Sequence, residues 1–131
     1  MRYLLDANAV ITLLNDPTSK LAKHARRFRP GDIGLSAVVA PELFFGAFKS
    51  RRAAQNIALV DALPFLVVEF GKEDARCAGE LRALLASRGT PIGPYDVLIA
   101  GQAVARSLAL VTRNASEFKR VPGLKLENWQ D

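Results

Sequence analysis

The sequence has one cysteine, Cys77, and one histidine, His24, in 131 residues. A disulfide within the chain is therefore excluded, which fits a reducing compartment. A zinc centre of the Cys/His type lacks ligands, and triads built on histidine have almost nothing to draw on. His24 sits in KHARRFR and reads as part of a charged, solvated helix face. Cys77 reads as a small core residue in a helical stretch. No apolar run approaches the roughly 18 residues of a membrane span, and no basic leader with an apolar signal core opens the chain. These absences lead to the expectation of an intracellular, cytoplasmic protein. Any metal it binds is held by oxygen, which favours Mg²⁺ or Mn²⁺. There is no repeat, low-complexity tract or linker, and the length suits one domain over residues 1–131 with a sizeable core.

What the chain does have is an uneven positive charge. The formal net charge is +5, with Lys20, Lys23, Arg26, Arg27 and Arg29 clustered early and Lys49, Arg51 and Arg52 following. A basic surface suits nucleic acid or another polyanion. A solvated helix face, or a contact for an acidic protein, accounts for the same residues on charge alone.

Short apolar runs alternate with helical stretches. Arg2 to Leu5, Ile33 to Leu35, Leu66 to Phe70, Leu108 to Thr112 and Leu124 to Glu127 read as strands. Asn8–Leu14, Lys20–Phe28, Ala37–Lys49 capped by Ser36, Arg51–Ala62, Glu73–Ser87 and Asp96–Ser107 read as helices, with a short helical turn at Ser116–Arg120. Asp96–Ser107 is apolar nearly all round and should be deeply buried. Strands alternating with helices predict a three-layer α/β/α domain with a mainly parallel sheet. In such sheets, sites form beyond the carboxyl ends of the strands.

That rule sorts the 13 acids. Asp16, Asp32, Glu73, Asp74, Glu80 and Asp131 lie in polar surroundings. Asp61, near a helix end, and Glu69, alternating with apolar neighbours, read as surface. Asp6, Glu42 and Asp96 stand apart. Asp6 ends the first strand and Asp96 opens the most apolar helix, so each has a plain reading as a helix cap. Glu42, expected past the first turn of its helix beside Leu43, Phe44 and Phe45, has no such reading. Brought together at one sheet edge, three carboxylates repel and raise each other's pKa, and a divalent cation removes that conflict. The segment LALVTRNASEF adds Thr112, Asn114 and Glu117 at another strand end. The expected site is Asp6, Glu42, Asp96 and Asn114, with Asn8, Thr112 and Glu117 bonding around the ligands. An all-oxygen metal cluster suggests phosphoryl transfer to water.

Four segments, LLDANAVI, LSAVVAPELFFGA, IGPYDVLIAGQAVA and LVTRNASEFKRVPGLKLENW, closely resemble the PIN-domain ribonuclease toxins of the VapC type. The resemblance runs in order over nearly the whole chain. It implies a compact α/β/α domain and a Mg²⁺- or Mn²⁺-dependent endoribonuclease, the toxin of a type II toxin–antitoxin pair. It further implies a homodimer, a VapB-type antitoxin covering the acidic pocket, operator DNA bound through that antitoxin, and tRNA or ribosomal RNA as substrate. Asp6 and Asp96 match the family's principal metal ligands and Glu42 its third acid. Asn114 stands at or next to a position that is often Asp, which implies one firmly held metal. Ala7 replaces a commoner Thr, and Pro41 is unusual before the third acid, where it is expected to kink the helix. Arg113 flanks the site, and Lys20, Lys23 and Arg27 offer further positive charge for RNA. Two other readings compete. In a haloacid-dehalogenase-like phosphatase the nucleophilic Asp also ends the first strand, but Asn8 stands where that class prefers a second Asp. In a non-catalytic basic partner-binding domain the acids are structural.

Overall fold

Parallel strands buried on both faces need nearly continuous apolar runs rather than alternation, and YLL, IGLS and ALV supply them. In a computed structural model of residues Met1–Asp131, these form β1 (Tyr3–Leu5), β2 (Ile33–Ser36) and β4 (Ala109–Val111), each buried throughout. The edge strands β3 (Leu66–Val68) and β5 (Lys125–Glu127) are more exposed. The helices are α1 (Ala7–Asn15), α2 (Lys20–Ala25), α3 (Ala40–Lys49), α4 (Ala53–Asp61), α5 (Lys72–Ser87), α6 (Pro94–Ala105) and α7 (Ala115–Phe118), with a 3-10 turn at Pro30–Asp32. None is long and apolar enough to cross a membrane.

All five strands are parallel, in the order β3-β2-β1-β4-β5. From β1 the chain steps outward to β2 and β3, then crosses back through α5 and α6 to reach β4 on the other side of β1. With right-handed crossovers, this reversal places α1 to α4 and the α5–α6 pair on opposite faces. The result is the expected three-layer α/β/α fold. The reversal lies between β1 and β4, and the crevice beyond their carboxyl ends is where such sheets bind ligands. The register aligns those ends: Leu5 lies opposite both Leu35 and Val111. Asp6, the turn after Ser36, and Thr112 therefore emerge at one edge.

Five expectations are corrected. Ser36 does not cap a helix over Ala37–Lys49. It ends β2 fully buried, its hydroxyl donating to Gln102 Oε1 and accepting from the Val38 N–H at 3.1 Å. Helix α3 starts only at Ala40, so Pro41 lies in the first turn, where a missing N–H costs no hydrogen bond and no kink follows. Asp74 is not a surface acid but is 2% exposed. Arg106 clamps it bidentately, with Nε to Oδ1 at 3.1 Å and Nη2 to Oδ2 at 2.9 Å, and the Gly71 N–H donates to it at 2.8 Å. Burial opposes its charge, but these donors outweigh burial and hold Asp74 below its ordinary pKa. Lastly, His24 is not on a plain solvated face. It stacks on Trp129 at 4.5 Å, in a cluster with Phe28 and Tyr3 that pins the C-terminal segment onto α2. Helix α2 ends at Ala25 rather than Phe28, and Phe28 packs into that cluster.

Helices α5 and α6 pack backbone to backbone. A Cβ added to Gly101 would meet the Ala78 backbone and Cβ at 2.6 Å. Gly101→Ala is therefore expected to destabilise the fold by about 1–3 kcal/mol through overpacking, measured by urea unfolding. In the same assay Arg106→Ala, which leaves buried Asp74 with only the Gly71 N–H, should cost about 1–3 kcal/mol. Arg113→Ala, which breaks only an exposed 3.5 Å pair with Asp131, should cost about 0–1 kcal/mol.

Candidate active site

Four helices begin at the carboxyl edge of the sheet or beside it, and each carries an acid at its start. Asp6 is the N-cap of α1, its Oδ1 accepting from the Ala9 N–H at 2.8 Å. Glu42 lies in the first turn of α3, not past it as expected, and is exposed toward the crevice. Asp96 lies in the first turn of α6, two residues after Pro94, and does not cap it; Gly93 holds that place. Glu117 lies in the first turn of α7. Helix N-termini carry partial positive charge and unpaired N–H groups, so each site tolerates a carboxylate. Bringing the acids together is the work of the sheet.

One cleft of about 110 Å³ is lined by Asp6, Asn8, Glu42, Asp96 and Asn114, with Ala7, Val38, Val39, Tyr95, Ile99 and Phe118. Every residue expected to be catalytic is thus in one place. Thr112 is buried beneath, its Oγ1 accepting from the Asn114 N–H at 3.0 Å and shaping the turn after β4. The Asn114 side chain accepts from the Ser116 hydroxyl at 2.9 Å. Glu117 reaches Asp96 directly, which is closer than its expected peripheral place. The basic residues do not line the cleft. Lys20, Lys23 and Arg27 are exposed on or just after α2, and Arg113 is exposed beside Asp131.

Two residues of consequence escaped the sequence reading. Gln102 is fully buried and joins three elements. Its Nε2 donates to the carbonyls of Val68 and Glu69, both at 3.0 Å, while its Oε1 accepts from Ser36. An uncharged polar residue on the most apolar helix was the available signal. Tyr95, beside Asp96, is 64% exposed at the cleft.

The electrostatics are those of crowded carboxylates. Burial, a hydrogen bond with Glu117, and the charges of Glu117, Asp6 and Glu42 push Asp96 up to about 7. Of the two, Asp96 holds a proton more readily, and Glu117 falls below its ordinary pKa chiefly through their hydrogen bond. Burial likewise raises Asp6, against the Thr112 hydroxyl and Ala9 N–H, which favour the ionised form. No three acidic side chains are drawn into a closed ligand set in this structure. The donor set is nonetheless hard, anionic and all oxygen, and it carries a like-charge conflict. These properties fit a hard divalent cation such as Mg²⁺ or Mn²⁺.

A parallel sheet with this switch-point crevice and acid-bearing helix starts defines a class. The chain matches the PIN domain family over residues 3–124. It is similar to the tRNA(fMet)-specific endonuclease VapC of Salmonella typhimurium, 38% identical with 98% of each chain covered. It is also 37% identical to Ribonuclease VapC2 of Rickettsia felis, again over 98% of each. Among solved structures, DNA-bound VapBC from Salmonella typhimurium superposes with a TM-score of 0.92 at 34% identity and 98% coverage of both chains. The chain belongs to the PIN-domain family, and within it to the VapC-type ribonucleases of toxin–antitoxin systems. PIN-domain nucleases depend on divalent metal. The phosphatase and purely structural readings give way to this membership.

A pH dependence follows. An unfolded Asp titrates near 3.9, whereas folded Asp96 titrates near 7. Between about pH 4 and 7 the folded state holds the extra proton, so in cation-free buffer this group makes stability fall as pH rises and level off above 7. Asp96→Asn should flatten that slope in thermal melts. Cation binding must displace the proton, so its affinity should rise through pH 7, with proton release visible by calorimetry in buffers of different ionisation enthalpy.

Proposed function

We propose that the protein is the toxin half of a type II toxin–antitoxin pair, an endoribonuclease whose ion is Mg²⁺, with Mn²⁺ able to replace it. The observation that carries the proposal is Asp96 ringed by Asp6, Glu42 and Glu117 at the switch point of the sheet. Asp6, Asp96 and Glu42 would hold the metal, Asn114 would face the reacting phosphate, and Asn8, Thr112 and Glu117 would orient the ligands. When bound, the cation activates water and stabilises charge on the phosphodiester. The chain's own part is to keep ionised oxygens fixed at helix starts, which limits their rearrangement during reaction. Asn114 is neutral where a further acid would add charge, which favours a single firmly bound metal.

An acidic cleft repels RNA, so phosphates on either side need cations outside it. Arg113, at the turn after β4, is the nearest in sequence to the cleft, and Lys20, Lys23 and Arg27 extend the positive surface. The Salmonella relative is named for tRNA(fMet), and a tRNA or ribosomal RNA is the proposed substrate. A VapB-type antitoxin is the proposed partner, with operator DNA reached through it. Phe45, Phe48 and Leu59 are exposed on α3 and α4, and Phe44 beside them packs against the core. An apolar face of that kind suits the antitoxin or a second copy in a homodimer. The proposed location is the cytoplasm.

Asp6→Ala and Asp96→Ala should each lower RNA cleavage about 100-fold or more, the scale of losing one group that stabilises developing charge. Their circular dichroism should match wild type. Excess EDTA should stop the wild type, and Mg²⁺ should restore it. Undiminished cleavage by either variant, or in EDTA, refutes the proposal.

A further inference from the structure

The cleft is too small for a nucleotide. Its volume of about 110 Å³ falls well below the roughly 300–1,000 Å³ of pockets that enclose a small-molecule ligand. It has room for a phosphate group and a cation. The bases on either side of that phosphate must therefore lie outside, against the rim. The cleft lining itself offers them no positive charge, because no lysine or arginine is part of it, and Arg113 beside Asn114 is a partner for phosphate rather than for a base. The lining does offer one exposed aromatic ring, since Phe118 is buried. Tyr95 is 64% exposed, although it belongs to the most deeply buried helix of the fold. Proline at the first helical position and Asp96 directly after it fix where the ring stands: on the first turn of α6, beside a carboxylate of the cleft.

We infer that Tyr95 is a stacking platform for the nucleobase next to the scissile phosphate, a specificity-determining residue of the ribonuclease reaction. The inference rests on the ribonuclease reading above. The physical case is one of complementarity. Unpaired bases have apolar faces and are held by aromatic side chains largely independently of charge. A ring holds a base without adding to or cancelling the carboxylate field the metal needs, whereas the neutral Asn8 and Asn114 offer hydrogen bonds but no stacking surface. Stacking also demands an unpaired base, so the platform selects single-stranded loops and rejects continuous duplex.

The probe is a fluorescently labelled, mixed-sequence single-stranded oligoribonucleotide. Binding is followed by anisotropy with Ca²⁺ in place of Mg²⁺, and cleavage by steady-state kinetics with Mg²⁺. Tyr95→Ala should raise Kd and KM about 5- to 150-fold, the range of one lost base stack, with kcat little changed. Tyr95→Phe should behave as wild type. Mn²⁺ affinity, read by electron paramagnetic resonance, should be the same in all three. With an oligonucleotide whose nucleotides are abasic, the gap between wild type and Tyr95→Ala should close, as a double-mutant cycle requires. An active wild type with unchanged Kd and KM in Tyr95→Ala overturns the platform alone. So does a Tyr95→Ala variant whose only defect is in holding a protein partner. A wild type that neither binds nor cleaves the probe or any RNA offered overturns the ribonuclease reading and the platform with it.

Discussion

The mutual repulsion of carboxylates in one cleft is the constraint around which this fold is arranged. Asp6, Glu42, Asp96 and Glu117 each sit at or near a helix start, where backbone N–H groups and the helix dipole make one negative charge tolerable. None of these starts makes four tolerable together. The strain shows in Asp96, which burial and the neighbouring Glu117, Asp6 and Glu42 push up to about 7. A rigid frame is needed to hold charges where they would otherwise part. The buried β1, β2 and β4 supply it, with their carboxyl ends in register.

The frame is reinforced by polar groups remote from the cleft. Gln102 ties α6 to the ends of β2 and β3, and Arg106, the residue that caps the end of that helix, closes on Asp74 of α5 and on the Glu69 carbonyl. Close contact at Gly101 leaves α6 little freedom to shift against α5. Helix α6 therefore carries Asp96 at one end and most of the fold's buried polar bonds at the other. In a low-dielectric interior such bonds are costly to break, so they fix one register of the helix against the sheet. On the first turn of the same helix Tyr95 is left exposed at the cleft.

Much of this was legible in the residues. Apolar runs in YLL, IGLS and ALV imply buried parallel strands, and acids placed just after them imply a site at their carboxyl ends. The helical pattern of Glu73–Ser87 ends just before Gly89, where the chain takes a positive φ of 69° that glycine adopts without strain. Other features were hidden by context. Asp74 reads as a surface acid because its partner, Arg106, lies 32 residues away in sequence. His24 reads as solvated because Trp129 arrives from the far end of the chain. Ser36 reads as a helix cap because nothing local reveals the buried Gln102 that receives its hydroxyl.

By itself the sequence determined the kind of layers, the approximate strand positions and the candidate acids Asp6, Glu42 and Asp96, since those depend on local pattern and on residue types present or missing. Only the tertiary structure decided which acids come together and which of them is pushed toward neutrality. It also decided that Pro41 is harmless, that Asp74 is buried, and that the cleft is narrow with one exposed ring beside it. The physical reason is range. Periodicity and capping are read over a few neighbouring residues, whereas a pKa, a buried ion pair or a cleft depends on groups that the crossover from β3 to β4 brings together from distant parts of the chain.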